Sequence, residues 1–325
     1  MDFVIIWVDG NDPEWQKEYF KYSSNDTGGD KREIRFREWD NLKYWFRGIE
    51  KFAPWVDKVF LVTCGHYPSW LNLKAPKLRF IRHSDYIPHE YLPTFNANTI
   101  ELNLHRIPEL SENFVFFNDD FFLINSVKEN RFFHNGLPCD MAILNALSGG
   151  GISSMELNAL SILNNYFVKK EVINANLKQW YNLKYGTSLL RTLCLMPWPR
   201  FTGFLNPHLP QAFTKKTFEE LWNKEYKILN DTCLCKFRTS DNVNQYLMRF
   251  WQFAKGEFYP LNVQKKAAYY LLSSSNIHSV AETISKQTAD IIVLNDSEQL
   301  DFEYSKEIIN SSFEKILSDK STFEI

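Results

Sequence analysis

The chain has 325 residues, 44% hydrophobic and 23% charged, which is the balance of an ordinary globular protein. A formal net charge of −2 argues against nucleic acid as a partner. No apolar run approaches the ~20 residues that a membrane-spanning helix needs, and Asp2 stands where a signal peptide requires a basic residue. We therefore expect a cytoplasmic, soluble protein, with peripheral attachment to the inner face of a membrane left open.

The first 125 residues alternate short apolar runs with stretches of helical periodicity. The apolar runs predict buried strands at 3–8, 58–63, 78–82 and 114–117. The periodic stretches predict helices at 40–52 and 97–107. Buried strands separated by helices are typical of a parallel sheet that is covered on both faces. The predicted fold class is α/β, with a Rossmann-like, mainly parallel sheet.

The remainder of the chain divides into two further parts. Residues 126–195 are rich in Asn, Ser and Leu and predict helices and loops inserted beside the core, whereas 1–125 form the first half of the core. Residues 196–325 complete the core, beginning with a loop at 196–214 that contains four prolines. The later elements are predicted as helices at 215–228, 241–255 and 302–318, and a strand at 290–294.

The cysteines and aromatic residues carry weaker signals. Their odd number and scattered positions predict that the cysteines are buried free thiols: Cys64, Cys139, Cys194, Cys233 and Cys235. Aromatic residues make up 16% of the chain, which indicates core packing first, with stacking on sugar faces as the alternative.

Carboxylates directly follow three of the predicted strands: Asp9, the pair Asp119 and Asp120, and Asp296. Ligands of open α/β sheets bind beyond the carboxyl ends of the strands. Any one of these aspartates is equally well explained as a cap, but clustered carboxylates repel one another unless a cation or proton joins them. Oxygen ligands of this kind suit Mg²⁺ or Mn²⁺ that holds phosphate oxygens. The sequence predicts a metal site formed by Asp119, Asp120 and Asp296.

Arginines flank these turns: Arg32, Arg35, Arg37, Arg47 and Arg106. They can form a solvated face paired with nearby acids, or they can bind pyrophosphate, whose oxygens the guanidinium fork matches. The chain contains no phosphate-binding loop of the Walker type, no G-x-G-x-x-G, no H-E-x-x-H and no G-x-S-x-G. These absences argue against P-loop enzymes, dinucleotide cofactors, zinc proteases of that type and α/β-hydrolases.

Two histidines are candidates for function. His208 lies between prolines in NPHLP, where an irregular loop favours function over simple packing. His105 falls in a predicted helix and is as well explained by a structural role as by a functional one. The other histidines are interpreted as structural.

Four blocks of the sequence, in this order, resemble the Stealth family of sugar-1-phosphate transferases. The first is IIWVDGNDPEW at 5–15, and the second extends from REIRFREWD to FVFFNDDFFL. The third combines PHLPQAFTKKTFEELW with FRTSDNVNQYLMRFWQFAKG, and the fourth is VLNDSEQLDF at 293–302. Bacterial members of this family build phosphodiester-linked capsular and cell-surface polysaccharides, and a eukaryotic relative is the lysosomal-enzyme N-acetylglucosamine-1-phosphotransferase.

The resemblance implies a nucleotide-sugar transferase-like fold and a donor pocket for a UDP-sugar. Catalysis would fall to His208, Arg238, Asp120 and Asp9, and the metal, Mg²⁺ or Mn²⁺, to Asp119, Asp120 and Asp296. The donor pocket is expected to contain Asp12, Arg35, Arg37, Asp40, Arg47, Asn96, Glu101, His105, Arg106, Asn118 and Asn295.

The implied reaction moves a hexose-1-phosphate or N-acetylhexosamine-1-phosphate to a carbohydrate hydroxyl and releases UMP. The acceptor is an oligosaccharide or polysaccharide, with a lipid-linked form left open. His208 is the first choice for the general base and a carboxylate the second, and residues 126–195 are expected to govern acceptor choice. The competing functions are a metal-dependent glycosyltransferase that releases UDP and a non-catalytic carbohydrate-binding assembly subunit.

Overall fold

The computed structural model describes residues 1–24, 36–150 and 152–325. The described strands are, in chain order, β1 (Asp2–Ile6), β2 (Val59–Thr63), β3 (Leu78–Arg82), β4 (Asn113–Phe117), β5 (Phe121–Leu123), β6 (Phe133–His134), β7 (Leu137–Asp140), β8 (Gln211–Thr214), β9 (Tyr259–Pro260), β10 (Ala267–Leu271) and β11 (Ile291–Asn295).

The described helices begin with α1 (Pro13–Ser23), α2 (Leu42–Phe52), α3 (Ala97–Leu102), α4 (Ile152–Tyr166), α5 (Lys169–Ala175), α6 (Leu177–Trp180) and α7 (Leu189–Leu195). They continue with α8 (Lys215–Lys224), α9 (Tyr226–Leu234), α10 (Tyr246–Lys255), α11 (Ile277–Ser285) and α12 (Phe302–Ile316). Short 3₁₀ turns lie between them, including Leu104–Arg106 and Leu183–Ser188. Among the helices that the structure describes, none combines the length and apolar character that a membrane crossing requires.

A five-stranded sheet in the order β3-β2-β1-β4-β8 organises the fold. The first four strands are parallel, and β8 runs antiparallel to β4 at one edge. β2 is buried at every position, as expected of a parallel strand with both faces covered. The α/β class and the mainly parallel sheet predicted from the apolar runs are confirmed.

A second sheet in the order β10-β11-β5 joins the first through a sharp corner. β4 ends at Phe117, the chain turns through 118–120, and β5 continues antiparallel to β11. The amide of Phe121 donates to the carbonyl of Asn118 across this corner (3.2 Å). The turn that carries Asp119 and Asp120 is therefore held between two sheets.

Two apolar cores cover the main sheet. One contains Trp45 of α2 and Phe313 of α12, together with the inner face of the second sheet. The other contains Leu102 of α3, Leu163 of α4 and residues of α8 and α10. Most aromatic rings lie in these cores, so the packing interpretation of the aromatic content holds for most of them.

Several elements differ from those that the sequence predicts. The helix α1 was not predicted. The stretch at 196–214, which was predicted as a loop, ends in strand β8, a short segment of mixed composition that pairs with β4. The helix predicted to begin at 241 begins at Tyr246, although it ends as expected at Gly256, whose φ of +68° suits glycine. The strand β10 was also missed, because its residues are mostly half exposed and lack the continuous burial of the other strands.

All five cysteines are unpaired, as predicted. Cys139 and Cys233 are buried, but Cys64 and Cys194 are exposed, so the expectation that all are buried is wrong. Burial raises the pKa of Cys139 and Cys233 to about 12, which makes these two thiols unreactive.

Arg47 anchors the carboxyl-terminal segment to α2. Its Nε and Nη2 donate to the two oxygens of Glu324 (both 2.8 Å), and its Nη1 donates to the carbonyl of Leu317 (2.8 Å) and to Glu314. Burial acts to raise the pKa of Glu324, but hydrogen bonds from Arg47 and Ser321 hold it below its usual value. The structure therefore places the guanidinium of Arg47, which was expected to line the donor pocket, against the carboxyl-terminal segment.

We predict that Arg47→Met destabilises the fold without changing the transfer rate per folded molecule. The substitution leaves Glu324, which is only 3% exposed, as a charge without its partner, and such a loss costs about 3–5 kcal/mol. Denaturant unfolding, monitored by circular dichroism, measures the free energy of unfolding. Glu314→Gln is the control and should cost less, because Glu314 is half exposed. An Arg47→Met protein of normal stability that no longer binds donor would contradict the anchoring role.

Candidate active site

The site lies where the chain reverses its direction across the main sheet. From β1 the chain passes to β2 and β3 on one side, then crosses to β4 on the other side of β1. Such a switch point leaves a crevice at the carboxyl ends of the two strands, which is where open α/β sheets bind ligands. Asp9 follows β1, and the segment 118–120 follows β4, so both reach this crevice.

The turn after β1 is fixed by hydrogen bonds. The amide of Asp9 donates to Nε2 of His66 (2.9 Å), and the Asp9 carboxylate accepts from the amide of Asn11 (2.8 Å). Burial lowers the pKa of His66, so its ring is neutral and able to accept. Asp12 caps α1 by accepting from the amide of Trp15 (2.8 Å). The turn must also be tight, since a Cβ on Gly10 would meet the carbonyl oxygen of Phe36 at 2.1 Å.

Glu38 adds a carboxyl group that the sequence analysis missed as a site residue. Its Oε2 accepts from Nε1 of Trp7 (3.0 Å), and its Oε1 accepts from the amide of Asp40 (2.7 Å). Burial raises its pKa to about 7, and the charges of Asp40 and Asp9 act in the same direction. The signal available in the sequence was its place among the arginines of REIRFREWD, where it was interpreted as one of the acids that pair with them on a solvated face.

Asp119 lies beside other carboxylates. Desolvation and the charges of Asp120 and Glu38 together raise its pKa to about 7. Because the residue is exposed to solvent, repulsion from these two carboxylates is the firmer cause. None of the ion pairs within the described residues involves Asp119. A proton or a cation therefore stabilises this corner.

Asp296 does not join that pair of aspartates. Its Oδ2 accepts from Nε of Arg37 (2.9 Å) and Nε1 of Trp39 (3.1 Å), and its Oδ1 accepts from Nη2 of Arg37 (2.6 Å). Across the residues that the structure describes, no three His, Cys, Asp or Glu side chains converge to hold a metal ion. The structure therefore does not bring Asp296 together with Asp119 and Asp120, because Arg37 and Trp39 donate to its carboxylate oxygens. The same pair also commits the guanidinium fork of Arg37, which was expected to bind phosphate.

His208 lies near Asp120. Its Nε2 is 3.7 Å from Oδ2 of Asp120, and its ring is half-buried. The edges of Phe121 (5.1 Å between ring centroids) and Tyr269 (5.7 Å) hold the imidazole. Its backbone adopts φ +48°, a left-handed conformation that is uncommon outside glycine, and its amide donates to Oδ1 of Asn206 (3.0 Å). Backbone strain of this kind clusters at functional sites.

Tyr269 and Asn295 border the same crevice. Nδ2 of Asn295 donates to the hydroxyl of Tyr269 (2.9 Å), and β10 and β11 place the two residues on neighbouring parallel strands. Tyr269 is about half exposed and was missed as a site residue, because β10 itself was not predicted. Its exposed ring beside His208 suits stacking on a sugar.

Two buried acids lie close enough to His208 for its charge to affect them. Glu101 is 4% exposed, and burial raises its pKa to about 7 against the opposing charges of Arg238 and His208. Glu156 was missed by the sequence analysis; burial raises its pKa, and Nδ2 of Asn206 donates to its Oε1 (2.6 Å). Arg238 is half-buried and lies close enough to Glu101 to influence its ionisation.

The remaining expected donor residues lie elsewhere or outside the described residues. The ring of His105 stacks on Phe218, and the guanidinium of Arg106 lies over the ring of Trp222. Phe218 and Trp222 are on α8, which begins beside the amino end of β4. The structure therefore does not place His105 or Arg106 in the crevice, contrary to expectation. Asn96 is buried and caps α3, and Asp40 pairs with Lys306. Arg35 lies outside the described residues.

Comparisons with known proteins decide the family. Residues 1–27 match Stealth protein CR1, conserved region 1, and residues 35–139 match Stealth protein CR2, conserved region 2. The capsular polysaccharide phosphotransferase WcwK of Streptococcus pneumoniae is 40% identical, over 100% of this chain and 98% of its own length. The chain belongs to the Stealth family.

Other relatives agree with this membership. The exopolysaccharide phosphotransferase cps2G of Lactiplantibacillus plantarum is 36% identical, over all of this chain and 96% of its own. The receptor polysaccharide phosphotransferase WefC of Streptococcus gordonii is also 36% identical, over all of this chain and 99% of its own. These homologues identify this Stealth protein as an enzyme of the sugar-phosphate transferase class. The solved galactosyltransferase LgtC covers 96% of both chains at 10% identity and a TM-score of 0.38, a likeness too low to bear on function.

We predict that Glu101→Gln stabilises the protein at pH 8 more than at pH 5. The folded-state pKa lies above the ordinary value of 4.5, so the destabilising effect of the buried charge develops as the pH rises through 7. The difference corresponds to about 3 kcal/mol at most. Thermal unfolding at both pH values measures it, with the exposed Glu90→Gln as control. An equal effect at both pH values, or a loss at pH 8, would mean that Arg238 holds Glu101 charged.

Proposed function

We propose that this Stealth protein transfers a hexose-1-phosphate or N-acetylhexosamine-1-phosphate from a UDP-sugar to a carbohydrate hydroxyl, forming a phosphodiester and releasing UMP. The observation that carries the proposal is the meeting of the Asp119–Asp120 pair with His208 at the switch-point crevice. The names of the homologues, which act on capsular, exo- and receptor polysaccharides, support a carbohydrate acceptor.

Asp119 and Asp120 would hold Mg²⁺ or Mn²⁺. The fit rests on the repulsion between their carboxylates, which a cation relieves, and on the absence of an ion pair to Asp119 within the described residues. Mg²⁺ in such sites binds one or two carboxylates and completes its shell with water and substrate phosphates. When bound, the cation would neutralise charge on the diphosphate of the donor.

His208 would accept the proton of the attacking hydroxyl. The half-buried ring is aimed by Phe121 and Tyr269, and its Nε2 faces the carboxylate of Asp120. A carboxylate at that distance would orient the ring for proton transfer. Asp120 would thus serve both the cation and the base, and Asp9 would border the donor nucleotide.

Arg238 would bind the transferring phosphate, because the guanidinium fork matches its oxygens. Glu101 lies close to Arg238 and would orient it as a positioning residue. Asn118 and Asn295 would line the same donor pocket. The attacking oxygen forms its bond to the phosphorus attached to the sugar, and UMP leaves from that phosphorus. The bond between sugar carbon 1 and its oxygen stays intact, so the anomeric configuration is retained.

Residues 126–195, with their helices α4–α7, would govern acceptor choice, because they lead directly into the loop that carries His208. Peripheral attachment to a membrane would bring the site to a lipid-linked acceptor. The proposal is tested by offering UDP-sugars with candidate oligosaccharides and following phosphorus by NMR. A phosphodiester signal together with UMP supports it, whereas UDP as product indicates a glycosyltransferase, and no turnover with any pair indicates a binding subunit.

We predict that transfer requires a divalent cation held by Asp119 and Asp120. A chelator should abolish activity, and excess Mg²⁺ or Mn²⁺ should restore it. Asp119→Asn should raise the half-saturating Mg²⁺ concentration by roughly tenfold or more, because a neutral amide oxygen attracts the cation less. The exposed Asp319→Asn is the control. Full activity in the chelator would refute the metal requirement.

We predict that His208→Ala binds the donor with near-normal affinity but transfers about 10²–10⁴ times more slowly, the usual contribution of a general base. The loss should persist at every acceptor concentration. Calorimetric titration with donor and initial-rate measurements separate the two effects. Wild-type enzyme given donor alone should form no acid-labile phosphorylated intermediate. Trapping such an adduct on His208 would make it a nucleophile, and joint loss of donor affinity and thermal stability would make it structural.

A further inference from the structure

A group of large apolar side chains is exposed on the last part of the inserted region and just beyond it. These side chains, each between 48% and 88% exposed, are termed here the apolar face: Val168, Leu183, Leu190, Leu193 and Trp198. Single exposed apolar residues are ordinary, but several within about thirty consecutive positions mark an interaction surface.

The members of the apolar face are brought together by α7 and its flanks. Leu190 and Leu193 are three residues apart on α7 and share one side of it, whereas Thr192 is buried on the other. The ammonium of Lys169 donates to the carbonyls of Leu195 and Met196 (2.8 and 3.2 Å), which holds the start of α5 near the end of α7. The turn that begins at Leu183 runs directly into α7.

Exposed positive charge is concentrated in the same stretch of the chain as this face. Between Glu156 and Glu219 the sequence contains a single acid, Glu171. The exposed basic residues of this stretch before the loop of His208 are Lys170, Lys178, Lys184, Arg191 and Arg200. None of the ion pairs found in the described parts of the chain involves these five. Since the whole chain has a net charge of −2, the positive charge is a local feature.

Exposed leucines and a tryptophan in the same stretch as exposed lysines and arginines match the interface of an anionic bilayer. The apolar side chains enter the region between headgroups and acyl chains, and the basic ones remain with the phosphates. Tryptophan favours this boundary because its ring is apolar and its N–H is polar. A protein partner would need acidic side chains around an apolar centre, whereas anionic lipid supplies both features over any area.

We propose that the apolar face docks this Stealth protein on a bilayer that contains anionic phospholipids. The proposal deepens the proposed function, on which it rests for the lipid-linked acceptor. Trp198 precedes His208 by ten residues, and the amide of Leu147 donates to the carbonyl of Thr202 between them (3.2 Å). Docking through this face would therefore hold at the membrane surface a segment that lies ten residues before His208 in the chain.

The test is co-sedimentation of the whole protein with vesicles, without donor or acceptor, so that its outcome is independent of transferase activity. Wild-type protein should bind vesicles of phosphatidylglycerol and phosphatidylcholine, more weakly in high salt and more weakly to phosphatidylcholine alone. The triple variant Leu190→Ser/Leu193→Ser/Trp198→Ser should bind at least about tenfold more weakly. A charge variant, Lys170→Gln/Arg191→Gln/Arg200→Gln, should lose the preference for anionic lipid.

The matched control is Leu73→Ser/Leu234→Ser/Tyr226→Ser, whose side chains are similarly exposed at 42–59% but lie outside the face. This control should bind vesicles like wild type, and circular dichroism should show that all variants fold. Failure of the wild type to bind, or equal binding by the triple variant and the control, overturns the proposal. So does sedimentation velocity that shows a wild-type dimer dispersed by the triple variant, since the face would then bind a second copy.

Discussion

Repulsion between carboxyl groups at one corner of the sheet is the constraint on which the site depends. Burial, together with the charges of neighbouring carboxylates where β1 and β4 end, raises the pKa values of Glu38 and Asp119 to about 7. Such crowding opposes folding unless a proton or a cation relieves it. A divalent cation that arrives with the donor diphosphate would supply the positive charge that relieves this repulsion.

The basic residues around this corner divide by what they already hold. Arg37 and Arg47 form bidentate pairs with Asp296 and Glu324, and these pairs fasten the carboxyl-terminal part of the chain against the segments that follow β1. Arg238 lies close enough to the buried Glu101 to influence its ionisation. The pairs of Arg37 and Arg47 thus hold the carboxyl-terminal part of the chain in place.

The sequence predicts where buried strands lie but not which strands pair with one another. Buried parallel strands are continuous apolar runs, so the main sheet and the aspartates after β4 could be predicted. Strand pairing is not written in such runs: β11 joins a separate sheet antiparallel to β5, and the residue after it, Asp296, meets Arg37. Tyr269 could not be found, because β10 is half exposed. Glu156 could not be found either, because only the fold brings α4 to the loop of His208.

The central claim, that the corner at Asp119 and Asp120 holds a divalent cation together with the donor diphosphate, is tested most directly by Mn²⁺ binding. Electron paramagnetic resonance measures free Mn²⁺ during titration of the protein in the presence of UDP. The account predicts that Asp119→Asn and Asp120→Asn each weaken binding by roughly tenfold or more, whereas Asp296→Asn, whose oxygens are committed to Arg37, changes it little. Equal Mn²⁺ affinity in all three variants and the wild type would contradict it.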